Sequence, residues 1–256
     1  MTATQDAKIT LYWLNESRAQ SILWLLEALQ LPYGLKVFKR TSVGFAPDEL
    51  KKINPLGKSP VITIERPGQT KPLVLFESGN IIEYLLEHFN GAEKGLVPQR
   101  YVDGNSGEET ESWLRYRFFM HYAEGSLMPN LVLFYILQRV RNPPAPFFIK
   151  PISRFVAGKI QTSFLDKQFA VHFPFLEDQV KTAPEGPVKG GICGKNFTGA
   201  DILMSYGLVA AMEGGLLRKD KYPELAAYVE RIKADEAYKR AAAKAAEMEG
   251  KITASL

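Results

Sequence analysis

The order strand, helix, strand, helix, hairpin, helix is complete by about residue 90 of a 256-residue chain, and only helical spacing follows it. Lys8 to Trp13 is rich in β-branched and aromatic residues and reads as a strand. Over Arg18 to Leu29, Ile22, Leu23, Leu25, Leu26 and Leu29 recur at helical spacing. Ser17 is placed to cap that helix, and Gln30-Leu31-Pro32 to stop it. Tyr33 to Phe38 is a second strand and Pro47 to Ile53 a short helix. Val61 to Glu65 and Leu73 to Phe76 flank Arg66-Pro67-Gly68-Gln69, turn chemistry that pairs them as a hairpin. Ser78 to Phe89 sets Ile81, Ile82, Leu85 and Leu86 on one helical face, with Ser78 able to cap it. Periods of 2 and 3.6 alternating in so short a span specify an α/β unit.

Past Asn90-Gly91 the pattern changes. Gly91, Gly95, Pro98, Gly104 and Gly107 punctuate residues 91–107, which read as a linker. Glu108 to Val140 predicts a long helix that Pro129 kinks or splits. Arg141 to Ile152 is too rich in proline and phenylalanine for regular helix. Three further helices are expected: Val156 to Val180, Gly199 to Gly214, and Pro223 to Glu249 with a break near Asp235.

Composition narrows the function. A net charge of +4, with Lys and Arg spread along the chain, gives no basic footprint for nucleic acid. Cys193 is the sole cysteine, so no internal disulfide can form, and a reducing compartment is expected. The polar stretch Met1 to Lys8 lacks the apolar core of a secretory signal. His88, His121 and His172 show no metal-ligand spacing and read as helix-surface residues, so no metal is expected.

Three stretches carry chemistry. Lys58-Ser59-Pro60-Val61 opens a strand with a residue that has no N–H to give to a ladder. It suits an extended peptide laid along the edge, or is an ordinary turn before a strand. Glu77-Ser78-Gly79 opens a helix, whose free N–H groups suit a carboxylate while Glu77 suits an ammonium group; a capped helix with a surface Glu is the plainer reading. Trp13-Leu14-Asn15-Glu16-Ser17-Arg18 joins the first strand to the first helix, where a thiol would be acidified by the helix dipole and by hydroxyl donors. Ser17 reads about equally as a cap and as a catalytic donor.

The order and spacing of these stretches resemble a known family. Asn54-Pro55-Leu56-Gly57-Lys58-Ser59-Pro60-Val61 is similar to the Asn-Pro-x-Gly-x-x-Pro segment of cytosolic glutathione transferases. Glu77-Ser78 resembles their γ-glutamyl site, and Phe197-Thr198-Gly199-Ala200-Asp201-Ile202 resembles the capping motif of a buried helix in their second domain. Ser17-Arg18-Ala19 followed by Leu23-Trp24-Leu25-Leu26-Glu27 looks most like a fungal and bacterial branch. The resemblance implies a glutathione transferase fold: an α/β thioredoxin-like N-terminal domain over 1–90, a linker over 91–107 and an all-α C-terminal domain over 108–256.

The resemblance also implies roles. Pro60 would be the family's cis-proline, and the backbone of Ser59 would pair with the cysteinyl part of glutathione. Glu77 and Ser78 would hold the γ-glutamyl group, and Lys58 would contact the tripeptide. Thr198 and Asp201 would form a structural capping box. For activation of the thiol, Ser17 ranks first, Asn15 second and Tyr12 third. Glutathione is the implied co-substrate, conjugated to a hydrophobic electrophile held against the helical domain, with peroxidase chemistry as a side activity. Detoxification, a homodimer, and a cytoplasmic location with peripheral attachment at the endoplasmic reticulum complete the implied picture. Phe147-Phe148 is the segment that would touch a membrane, although such loops more often pack on their own domain. The alternative is a glutathione-binding regulatory or scaffold protein of the same fold without transferase chemistry.

Overall fold

A computed structural model describes residues 7–102, 107–144, 146–184 and 190–254. Residues 103–106 of the expected linker and Ala145 of the Pro/Phe-rich stretch lie outside the described residues. Four strands, β1 (Lys8–Leu14), β2 (Tyr33–Phe38), β3 (Val61–Glu65) and β4 (Leu73–Phe76), form one sheet in the order β2-β1-β3-β4. β1 pairs parallel with β2 and antiparallel with β3, and β3 and β4 close the expected hairpin. Ile9, Leu11 and Trp13 alternate along β1 and are all buried, as a strand with one face on a core requires. The helices α1 (Ala19–Leu29) and α3 (Ser78–His88) pack on the sheet, and the short α2 (Asp48–Lys51) precedes β3.

Nine of the eleven residues of α1 are buried, because the helix is enclosed on every side. It packs on β1 and α3, and also on α8 (Gly199–Glu213) and α10 (Glu236–Ala254) of the helical region. A helix apolar all round belongs in an interior, and Ile22, Leu23, Trp24, Leu25 and Leu26 place it there. Gln30 ends it in the left-handed conformation with φ of 56°. The N-cap position falls on Arg18 rather than Ser17, one residue later than expected, although Ser17 Oγ still accepts from the Ala19 N–H at 3.2 Å. Likewise Glu77, not Ser78, occupies the position before α3, and Ser78 turns its hydroxyl to a partner outside the helix.

The helical region corrects three boundaries. The helix expected over 108–140, kinked or split at Pro129, begins at Glu111 and is divided into α4 (Glu111–Tyr122) and α5 (Met128–Arg141) by a π-helical turn over Ala123–Leu127. Pro129 stands in the first turn of α5, directly after that π-helical turn, so the division falls where the proline was expected to kink or split the helix. Residues 150–152 are helical where irregular backbone was expected: α6 (Lys150–Ile160) begins there, with Pro151 in its first turn. A second π-helical turn, Gln161–Leu165, separates α6 from α7 (Asp166–Lys181), so Val156 to Val180 is not continuous helix. Asp235 does break α9 (Pro223–Ala234) from α10; its carboxylate accepts from the Tyr238 N–H and from Trp24 Nε1, both at 2.9 Å.

Asp201 anchors the helical region. It is wholly buried and accepts from the backbone N–H of Ile192 and of Thr198, from Thr198 Oγ1 and from the Tyr228 hydroxyl, at 2.6–2.7 Å. Burial pushes its carboxyl up, and these four donors pull against that shift. A Cβ at Gly191 would lie 2.5 Å from the Asp201 oxygens, so only glycine lets the 190–194 loop close on them. Cys193 sits in that loop, fully buried, and burial raises its thiol well above the ordinary range. His172 is not a plain surface residue: Nδ1 lies 2.6 Å from the Tyr122 hydroxyl and Nε2 lies 3.3 Å from Asn130 Nδ2. Partial burial lowers its pKa.

Candidate active site

The site begins where the β1–β3 ladder ends. The last pair is Tyr12 with Val61, so Ser59 and Pro60 lie just past the paired register. The Ser59–Pro60 bond is cis. Buried Asn54 shapes the approach: its Nδ2 donates to the Lys58 carbonyl at 2.9 Å, and its Oδ1 accepts from the Leu56 N–H at 3.0 Å. Gly57 turns the chain between them with φ of +61°, a conformation that costs glycine little. The Lys58 side chain stands exposed at the edge of this turn.

Ser59 Oγ lies 3.2 Å from Ser17 Oγ, so two of the three candidate stretches meet. The Ser17 hydroxyl donates to the Leu14 carbonyl at 2.7 Å. One hydroxyl has one proton. Ser17 therefore receives from Ser59, and the two form a relay running from Ser59 through Ser17 to Leu14. Asn15 is placed differently. Its Oδ1 accepts from the Arg40 N–H at 2.8 Å, and no described residue accepts from its Nδ2. The Arg40 guanidinium fixes the loop by donating to the carbonyls of Asn15, Glu16 and Gly44 at 2.9–3.0 Å. Tyr12 alternates with buried Leu11 and Trp13 and projects from the opposite face of the sheet, where it stacks on Phe38. The structure thus brings Ser17 and Ser59 together and leaves Tyr12 on the other side.

A second cluster stands at the start of α3. Glu77 is exposed with φ of 70°, and Ser78 is buried. Ser78 Oγ donates to Glu124 Oε1 at 2.7 Å, and Glu124 Oε2 closes a tight ion pair with Arg18. Arg18 is the residue beside Ser17, so one chain of contacts ties the start of α1, the start of α3 and the π-helical turn after α4. Sequence reasoning quoted Arg18 only as part of a motif and missed Glu124. Nothing in its neighbourhood marks Glu124 except the π-helical turn, which period-3.6 spacing hides.

Two cavities adjoin this frame. One of about 590 Å³ is walled by Met128, Leu131, Val132, Ile136 and Tyr206, with Glu16 and Arg40 on its lining. The other, about 180 Å³, is lined by Trp13, Ser17, Gln20 and Tyr206. Both are lined by Glu16, Tyr206, Ala210 and Glu213, so the cavity beside Ser17 adjoins the apolar one. Trp13 Nε1 is buried and has no hydrogen-bond partner among the described residues. Among the described residues no group of three or more His, Cys, Asp or Glu could hold a metal ion.

This geometry can do two things. The first turn of α3 presents backbone N–H groups to an anion, beside Ser78 and Arg18, whose donors Glu124 now engages. Ser17 lines the smaller cavity with Ser59 against it, where a hydroxyl that turned from its present acceptor would reach a small nucleophile.

The family model for the glutathione S-transferase N-terminal domain matches residues 17–88. Glutathione S-transferase 1 of Saccharomyces cerevisiae is 33% identical to this chain over 90% of its length and 92% of the relative's own. A crystallised glutathione S-transferase from Actinobacillus pleuropneumoniae superposes with a TM-score of 0.63 at 28% identity, covering 93% of this chain and 92% of that one. A glutathione transferase family member from Pseudomonas fluorescens, solved with two glutathione bound, shares the fold with a TM-score of 0.61 at 21% identity, over 94% of each chain.

Proposed function

The chain belongs to the glutathione S-transferase family, and on that premise we propose that it binds glutathione and transfers its thiolate to a hydrophobic electrophile. The observation that carries this reading is the 3.2 Å approach of Ser17 Oγ to Ser59 Oγ at a cavity that adjoins an apolar one. In the proposed complex, glutathione lies along the open edge at Ser59-Pro60, with Lys58 at its flank. Its γ-glutamyl carboxylate takes the N–H groups of the first turn of α3 and draws Ser78 and Arg18 from Glu124, and Glu77 takes the ammonium group. That seats the sulfur near Ser17 and Asn15. The thiol proton leaves to solvent, the Ser17 hydroxyl turns from the Leu14 carbonyl to the thiolate, and the sulfur attacks the electrophile as its leaving group departs. Holding both reactants in register supplies much of the gain.

A reducing, cytoplasmic setting suits a chain whose sole cysteine is buried. A homodimer is also part of the proposal, since Leu114 and Phe118 leave apolar surface on α4. Detoxification is its proposed physiological use, and peroxidase turnover a side activity.

The experiment is a titration of bound glutathione by thiolate absorbance, run beside turnover of a chloronitrobenzene, a hydroperoxide and a mixed disulfide. Transferase chemistry requires a lowered thiol pKa and turnover of at least one of them. Tight binding with an unshifted thiol and no turnover would instead favour a regulatory or scaffold role. That rival has one observation in its favour, the commitment of the Ser17 proton to Leu14.

A further inference from the structure

Helix α6 buries only Ala157 of its eleven residues, although its sequence carries four large apolar side chains. Those side chains point outward. Ile152 and Phe155 are each 66% exposed, and Val156 and Ile160 are exposed as well. The segment leading into the helix continues the surface, with Phe147 83% exposed and Phe148 63% exposed. Phe164, in the π-helical turn beyond, extends it on the other side. Scattered exposed apolar residues are normal, but a contiguous run of this kind marks a surface that another phase covers.

Charge identifies that phase. From Arg141 to Leu165 the sequence contains no Asp or Glu, and it contains Arg141, Lys150, Arg154 and Lys159. None of the four forms an ion pair among the described residues. Arg141 and Arg154 bond only to the neutral amides of Gln161 and Asn142, and the Lys159 ammonium lies over the Phe155 ring at 5.8 Å. Cationic side chains interleaved with large apolar ones on one short helix suit the boundary between anionic headgroups and acyl chains. A second copy of this chain is a poor occupant, because a two-fold contact would set this positive face against itself. No helix among the described residues is long and apolar enough to cross a membrane, so the contact is with a surface and not a span.

We propose that residues 147–164 seat the protein on an anionic lipid bilayer, with Phe147, Phe148, Ile152 and Phe155 entering the interface and Lys150, Arg154 and Lys159 at the headgroups.

The test is co-sedimentation of the full chain with phosphatidylcholine vesicles, with and without phosphatidylserine. Wild type should sediment with the anionic vesicles, and raising the salt should release most of it. The pair Phe147→Asp with Phe155→Asp should lower the bound fraction at least about tenfold, and Lys150→Gln with Arg154→Gln and Lys159→Gln should lower it comparably. Four of the five positions are exposed and Lys150 is only half-buried, so the variants should keep the wild-type thermal midpoint. No sedimentation with either vesicle would overturn the proposal, as would equal sedimentation with both. So would a wild-type oligomer that the Phe→Asp pair dissociates in sedimentation velocity, since the covering phase would then be a second copy.

Discussion

Glu27 on α1 and Lys244 on α10 are 217 residues apart in sequence, and their side chains meet at 2.5 Å. Arg240 Nε donates to the other carboxylate oxygen at 2.9 Å, and the Tyr33 hydroxyl donates to the first at 2.5 Å. Partial burial would raise the Glu27 carboxyl, but these three donors outweigh it and bring its pKa to about 2. A group depressed on folding stabilises the fold above its unfolded pKa and loses that contribution as the pH falls through the folded value. Glu27→Gln should cost about 1–3 kcal/mol at neutral pH. The gap to wild type should narrow between about pH 4 and pH 2. Urea unfolding at pH 7 and pH 3 checks this; a gap that widens in acid would contradict it.

Ser17→Ala removes the hydroxyl proposed to reach the thiolate. It should cut kcat/KM by roughly tenfold to a hundredfold and raise the pKa of bound glutathione, with little change in its affinity. Asn15→Ala should do the same more weakly, and Tyr12→Phe should do nothing to the thiol. Loss of about 1 kcal/mol of stability with an unshifted thiol in Ser17→Ala would mean that the hydroxyl only caps α1 and holds Leu14. Steady-state rates and thiolate absorbance on the same preparations separate these outcomes.

Arg18 and Ser78 act on binding. Removing either should raise KM for glutathione by about tenfold or more and leave kcat close to wild type, since the γ-glutamyl group is bound alike in ground and transition states. A fall in kcat with unchanged KM in Arg18→Ala would move Arg18 to the reacting end of the tripeptide.

Asp201→Ala should abolish soluble expression or cost about 3–5 kcal/mol, because four buried donors lose their acceptor at once. Thr198→Ala should cost about 1 kcal/mol. Thermal midpoints and soluble yield read both. A well-folded Asp201→Ala protein would show that the 190–194 loop closes without its carboxylate.

The N-terminal elements were readable because each has a period of its own: β1 alternates, α1 and α3 repeat at three and four, and Gly and Pro mark the joints. The break at Asp235 and the box at Thr198–Asp201 were readable for the same local reason. The misplaced boundaries all involve π-helical turns or proline. Residues 123–127 and 161–165 keep nearly helical spacing while shifting the register by one residue. Pro151 reads as a breaker until it is known to open a helix. The site divides along the same line. Ser59, Pro60, Glu77 and Ser78 lie in short contiguous motifs, whereas Glu124 acquires its role only through contact with Ser78 and Arg18, 46 and 106 residues away. The committed proton of Ser17 was invisible for another reason: which acceptor a hydroxyl chooses depends on where the strand's last carbonyl points.

The enclosure of α1 makes the two parts of the molecule poor candidates for independent inheritance. Trp24 touches Phe197 and Tyr238 and donates to Asp235, so a helix of the first domain is finished by residues more than 170 positions later in the sequence. A fragment ending near residue 90 would leave the outer side of α1 wet and should aggregate. A hybrid joining these first 90 residues to another relative's helices should fold only if that relative supplies matching partners for Trp24 and Glu27. The loop that presents Ser17 is therefore inherited with the whole chain, and recombination at the linker carries a cost that the linker's own sequence does not show.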